Sequence, residues 1–73
     1  MPERARFVAS PGGPVLDLET KTTVPPATTP EQRRGPIVAE LAVYETAGEA
    51  PVLLTVRATP DGLRYTRRTT RRP

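Results

Sequence analysis

The sequence predicts a small, mostly β protein in which a three-stranded antiparallel meander follows a hairpin-like arm and a proline-rich connector. Apolar residues alternate with other residues over two stretches of the C-terminal half, which is typical of strands with one buried face. Ten prolines and five glycines divide the 73 residues into short segments and favour turns and extended backbone. Fifteen Val, Leu, Ile and Phe side chains provide only a thin core, so we expect a partner to complete it.

The N-terminal arm, residues 1–24, contains two short strand candidates. They lie at 6–10 and 15–24, and a Ser-Pro-Gly-Gly-Pro sequence with strong turn character separates them. Alternation in the second candidate places Leu16 and Leu18 on its apolar face, and Asp17 and Glu19 on the other face. The arm is therefore predicted to form a hairpin with few apolar side chains on its buried side.

The connector, residues 25–36, is rich in proline and threonine. Proline fixes φ and biases the preceding residue away from helix, so polyproline II geometry is expected at its start. Thr29 followed by Pro30, with Gln32 placed to bond back, has the form of a helix start. A Gly-Pro sequence follows at once, so any helix is about one turn long, and an extended polar linker is the simpler interpretation.

The meander occupies residues 37–70, with strands at about 37–46, 52–59 and 63–69. The alternative for 37–46 is a helix, which would make the protein α+β, because several apolar residues also fall at helical spacing. We favour a strand, because the segment is rich in β formers and its alternation is clean. Its apolar face is predicted to contain Ile37, Ala39, Leu41 and Val43.

The turn chemistry predicts the register of the last two strands. Residues 59–62 read Thr-Pro-Asp-Gly, which suits a type I turn with proline at the second position. A four-residue loop here sets Ala58 opposite Leu63 and Val56 opposite Tyr65, which keeps one face apolar.

The same argument predicts the register of the first two strands. A loop from 46 to 51 keeps apolar residues together on one face. On the other face, Arg57 is then expected between Glu40 and Arg64. The predicted apolar pairs are Val43 with Leu54 and Leu41 with Val56.

Positive charge is concentrated at the C-terminal end. Residues 57–73 contain six arginines and one acid, Asp61, for a net charge of +5, whereas residues 1–56 carry −2. Guanidinium groups bind carboxylates and phosphates through two parallel hydrogen bonds. We therefore predict a partner- or anion-binding site on the sheet and on the basic tail end, 71–73. It comprises Arg57, Arg64, Arg67, Arg68, Arg71 and Arg72.

Residue types also limit the chemistry. The chain has no histidine and no cysteine, which are the usual general bases, nucleophiles and zinc ligands, and its carboxylates are scattered. We therefore predict no enzymatic activity, no catalytic residue, no metal site and no cofactor. The sequence contains neither a signal-peptide pattern nor an apolar run of membrane-spanning length. A cytoplasmic location, or one within a particle assembled in the cytoplasm, is expected, with no membrane partner.

These features predict a small accessory or structural protein that docks onto a larger protein assembly. An acidic protein surface is the expected partner, and copies of the same chain are a second candidate, because a thin sheet exposes backbone at its edges. The alternative is a nonspecific nucleic-acid-binding protein that contacts phosphates through its arginines. The sequence carries no base-reading motif, and only Phe7, Tyr44 and Tyr65 are aromatic.

Overall fold

The computed structural model describes residues 5–69 and is all-β, as predicted. Two antiparallel sheets contain three strands each, in the order β1-β2-β3 and β4-β5-β6. Residues 37–43 form a strand, so the alternative helix over 37–46 is wrong. The strands are β1 (Phe7–Ala9), β2 (Val15–Asp17), β3 (Thr22–Val24), β4 (Ile37–Val43), β5 (Val52–Thr59) and β6 (Gly62–Thr69), and a 3-10 turn, Glu31–Arg33, lies between β3 and β4.

The two sheets share one apolar core. Val15 of the first sheet and Val56 of the second are both 0% exposed, which places the centre of the core between the sheets. Half-buried side chains from the second sheet, including Tyr65, pack around this centre. The other buried apolar residues are Phe7, Val24, Val43, Val52 and Leu54.

The hairpin of β5 and β6 has the predicted register. Val56 lies opposite Tyr65 and Ala58 lies opposite Leu63. The Thr59 hydroxyl donates a hydrogen bond to the Gly62 carbonyl across the turn at 2.6 Å. Gly62 has φ +101°, a conformation that glycine adopts without a steric penalty.

The predicted register of β4 and β5 is wrong by two residues. Val43 pairs with Val52 rather than Leu54, and Leu41 pairs with Leu54 rather than Val56. The strand ends at Val43 instead of residue 46, so the loop covers 44–51 and is longer than predicted. A shift of two residues preserves the side-chain period, and the apolar face is therefore unchanged.

A bulge at the start of β4 changes which face Ile37 occupies. Ile37 pairs with Arg57 whereas Ala39 pairs with Val56, which leaves Val38 as the extra residue. Ile37 was predicted on the apolar face but lies on the opposite face, where it is 53% exposed. Because of the bulge, residues 37 and 39 lie on opposite faces of the sheet, whereas regular alternation would place them on the same face.

The N-terminal arm differs most from its prediction. Residues 15–24 form two strands rather than one, and the backbone N–H of Lys21 donates to the Asp17 carbonyl at 2.8 Å to close the turn between them. Leu16 and Leu18, predicted on the buried face, are 41% and 50% exposed. The buried positions are instead Val15, Asp17 and Val24.

Asp17 explains this inversion. Its Oδ1 accepts a hydrogen bond from the backbone N–H of Glu19 at 3.0 Å, as in an Asx turn, so the chain reverses here. Its Oδ1 and Oδ2 also accept hydrogen bonds from the Arg6 guanidinium, at 3.1 and 3.0 Å. Because the carboxylate is paired, it can be buried, and the leucines beside it are turned outward.

The connector is attached to the second sheet at both ends. After β3 the chain bonds to Tyr65 of β6, which donates its N–H to the Pro25 carbonyl at 3.1 Å and accepts from the Ala27 N–H at 2.8 Å. The 3-10 turn then contacts β5 and β6. Its Gln32 side chain is buried and donates from Nε2 to Asp61 Oδ2 at 2.9 Å.

Candidate functional site

The outer face of the second sheet is the face directed away from the core. Cross-strand pairing arranges its side chains in three rows, each with one residue from β4, β5 and β6. Three of the predicted site residues, Arg57, Arg64 and Arg68, occupy this face. The rows are Ile37–Arg57–Arg64, Glu40–Thr55–Thr66 and Ala42–Leu53–Arg68.

Arg57 and Arg64 lie directly opposite each other, as predicted. Like charges in this position repel, and Glu40 was expected beside Arg57 to offset this. That expectation is wrong, because the two-residue shift places Glu40 opposite Thr55. The two guanidinium groups instead donate to carbonyl oxygens of different segments, from Arg57 Nη1 to Gly35 at 2.8 Å and from Arg64 Nη1 to Leu63 at 2.8 Å.

Arg57 keeps one unsatisfied donor. Its Nε is buried and has no hydrogen-bond partner among residues 5–69. Such a donor costs about 1–3 kcal/mol relative to a satisfied one.

Arg67 lies apart from the other predicted site residues. It pairs with Leu54, a core-facing position, and its Nη2 donates to Glu45 Oε1 at 3.0 Å. The two side chains line a cleft of about 140 Å³ at one end of the second sheet. Arg71 and Arg72 lie outside the described residues.

The sequence analysis missed two basic residues near this face. Arg33 ends the 3-10 turn and Arg34 follows it, and both side chains are exposed. The turn contacts β5 and β6, which brings these charges to the end of the sheet that carries Arg57. The signal was the Arg-Arg pair itself, which lies in the segment interpreted as an extended polar linker.

Positive charge on the outer face of the second sheet and on the adjacent Arg33–Arg34 pair is not balanced by acidic groups within residues 5–69. In the described part of the chain, the salt bridges are those of Arg6 and Arg67, so the outer-face arginines and the Arg33–Arg34 pair have no acidic partner. Three apolar residues share the outer face, the exposed Ile37 and Ala42 and the half-buried Leu53. This mixture of guanidinium groups and aliphatic surface can bind carboxylates or phosphates and can also bury apolar area.

Comparison with protein-family models, curated proteins and solved structures gave no match. Between residues 5 and 69, no three His, Cys, Asp or Glu side chains lie close enough together to hold a metal ion. The same residues include no helix with the length and apolar character that crossing a membrane requires.

Proposed function

We propose that the protein is a non-catalytic docking module whose second sheet binds an acidic surface of a larger protein assembly. The observation that carries this proposal is the outer face itself, where Arg57, Arg64 and Arg68 have no acidic partner in the described chain. Arginine is enriched at protein interfaces, and its fork geometry matches carboxylates. The proposed place of action is the cytoplasm or a particle assembled there.

The apolar residues of the face favour a protein partner over nucleic acid. Ile37 is 53% exposed and lies in the same row as two arginines. A phosphate backbone provides no apolar surface for such a side chain, whereas the centre of a protein interface does. Proteins that bind single-stranded nucleic acid usually add several aromatic platforms. Here Phe7 is buried and Tyr65 packs against the core, so the exposed Tyr44, in the loop after β4 and outside the three rows, would be a single platform.

Site-specific photocrosslinking in the native host tests this proposal. A benzophenone amino acid replaces Ala42, an exposed position in the row that contains Arg68. We expect a nuclease-resistant protein adduct whose crosslinked peptide is acidic. The same probe at Val8, an exposed position of the first sheet, is the control and should give no such adduct.

Charge variants separate the two candidate functions. Arg68→Gln should weaken the adduct, whereas Lys21→Gln, which removes one exposed charge from the first sheet, should leave it unchanged. Adducts that disappear after nuclease treatment, with binding that falls log-linearly with salt, would instead support nonspecific nucleic-acid binding.

A further inference from the structure

A second cleft lies where β3 of the first sheet passes β6 of the second. Its volume is about 270 Å³. Val24 and Leu63 form apolar walls, and Arg64 reaches the cleft from the outer face because β6 lies at the edge of its sheet. Three threonines, Thr20, Thr22 and Thr23, complete the polar lining.

We propose that this cleft binds a carboxylate group, and that the carboxylate of an Asp or Glu side chain of the docked partner occupies it. The claim that a partner protein supplies the carboxylate rests on the proposed function. The claim that the cleft binds a carboxylate rests on the lining of the cleft alone. The two claims are tested separately.

Arg64 has the free donors that a carboxylate requires. Among the described residues its guanidinium makes one hydrogen bond, from Nη1 to the Leu63 carbonyl at 2.8 Å. The Nε and Nη2 edge remains available, and two parallel N–H groups on one edge match the two oxygens of a carboxylate. Apolar walls strengthen such a pair by limiting water around it.

The threonine hydroxyls provide a further donor. Thr20 Oγ1 and Thr22 Oγ1 are 2.6 Å apart, so one hydroxyl donates to the other. The accepting hydroxyl keeps its own proton, which can be donated to an oxygen in the cleft.

Asp17 also lines the cleft, and its negative charge favours a singly charged carboxylate ligand over a doubly charged phosphate. Its charge is balanced by Arg6 Nη2, 3.0 Å from Oδ2, and only 2% of its side chain is exposed. A singly charged ligand beside Arg64 is therefore tolerated. A doubly charged phosphate would meet one free guanidinium and a nearby carboxylate, so we expect it to bind more weakly.

NMR titration of the full chain tests the carboxylate site. Sodium acetate and sodium propionate are added at constant ionic strength, with sodium chloride and inorganic phosphate as separate titrations. We expect saturable shifts of the Arg64 Nε–H and of the Thr20 and Thr22 amides with both carboxylates. Shifts that chloride reproduces, or tighter binding of phosphate, would overturn the proposal.

Variants assign the site to its residues. Arg64→Gln should weaken acetate binding at least about tenfold, and Thr22→Val about threefold. Arg67→Gln is the matched control, because Arg67 is on the same strand but is paired with Glu45 and lies outside this cleft, and it should leave the acetate affinity unchanged. Acetate binding that survives Arg64→Gln would contradict the site.

The photocrosslinking result is independent of this titration. If acetate binds as expected but position 42 captures no protein, the carboxylate cleft stands and the docking proposal fails. If position 42 captures an acidic protein but acetate gives no saturable shift, docking stands and the cleft proposal fails.

Discussion

Each strand of the first sheet has three residues, whereas the strands of the second sheet have seven or eight. A long strand buries several alternating side chains, so its apolar face is set by many residues and is visible in the sequence. A three-residue strand buries only one or two, and a single polar contact can decide which side faces inward. The first sheet is inverted relative to its pattern because Asp17 pairs with Arg6.

The difference shows where side-chain alternation is a sufficient guide to the fold. In the second sheet, a two-residue error in register left every apolar residue of β5 on the correct face. In the first sheet, Leu16 and Leu18 are apolar yet exposed, while a carboxylate between them is buried. The first sheet therefore depends on specific hydrogen bonds, and the second on apolar packing.

Gly35→Ala is expected to produce the largest loss of stability. A Cβ at position 35 would overlap the backbone carbonyl oxygen of Ala58, which belongs to a strand and cannot rotate away. The connector would separate from β5, and the free energy of unfolding should fall by about 3 kcal/mol. Urea denaturation of the variant and wild type measures the loss.

Gly13→Ala is the matched control for this change. A Cβ at position 13 would contact Ser10 atoms no closer than 3.5 Å, which is ordinary van der Waals distance. Its effect on stability should be within about 0.5 kcal/mol. A Gly35→Ala variant as stable as Gly13→Ala would show that the connector does not pack tightly on the second sheet.

Truncating one core valine in each sheet tests whether the two sheets unfold together. Val15 and Val56 are both 0% exposed, so either valine-to-alanine change should reduce stability by about 2 kcal/mol. Because the core is shared, each variant should unfold in one transition that circular dichroism and NMR report alike. A first sheet that melts separately in Val15→Ala would contradict a single cooperative core.

The exposed Val8 provides the control for these truncations. It is 40% exposed on the outer side of the first sheet, so Val8→Ala removes little buried area. We expect a loss of less than about 1 kcal/mol.

The sequence was sufficient for the fold class, for four of the six strands (β1, β4, β5 and β6) and for the register of one hairpin. Its success at β5 and β6 came from two independent signals, alternation and the Thr-Pro-Asp-Gly turn, which agree on one register. The bulge at Val38 could not be predicted, because an inserted residue leaves no mark in a pattern that is apolar on both sides of it. The burial of Asp17 could not be predicted either, because its partner Arg6 is eleven residues away.

The sequence predicted the part of the candidate site that depends on strand register, and missed the part that depends on contacts between distant segments. The sequence correctly predicted that Arg57 and Arg64 lie opposite each other, because it predicted the register of the β5–β6 hairpin correctly. Their carbonyl partners depend on where the connector returns to the sheet, which no local pattern specifies. Arg33 was overlooked because its position near β5 follows from the buried Gln32, whose side chain bonds to Asp61 in the distant hairpin turn.

Acid should destabilise the first sheet through Asp17. Its hydrogen bonds to Arg6 and to the backbone lower its pKa from 3.8 to about 2. A carboxyl group whose pKa is lower in the folded state stabilises the fold above its unfolded pKa, and this stabilisation is lost as the pH falls from about 4 through about 2. Urea denaturation at several pH values should show this decline.

Asp17→Asn separates this group from the other carboxylates. The amide oxygen of asparagine still accepts the Glu19 N–H bond, but it carries no charge to pair with Arg6. We expect the variant to be less stable than wild type at pH 7 and the difference to shrink towards pH 2. A difference that is the same at both pH values would contradict the role of the charged pair.

The salt bridge of Arg67 and Glu45 should contribute least. Its side chains are 54% and 34% exposed, and exposed pairs at a 3.0 Å distance typically contribute less than about 1 kcal/mol. A double-mutant cycle of Arg67→Gln and Glu45→Gln in low and high salt measures the coupling, which should be small and should decrease with salt. A large, salt-insensitive coupling would mean that this pair secures the end of the sheet. In the outer-face crosslinking assay, Arg67→Gln should have less effect than Arg68→Gln, because only Arg68 lies on that face without an acidic partner in the described chain.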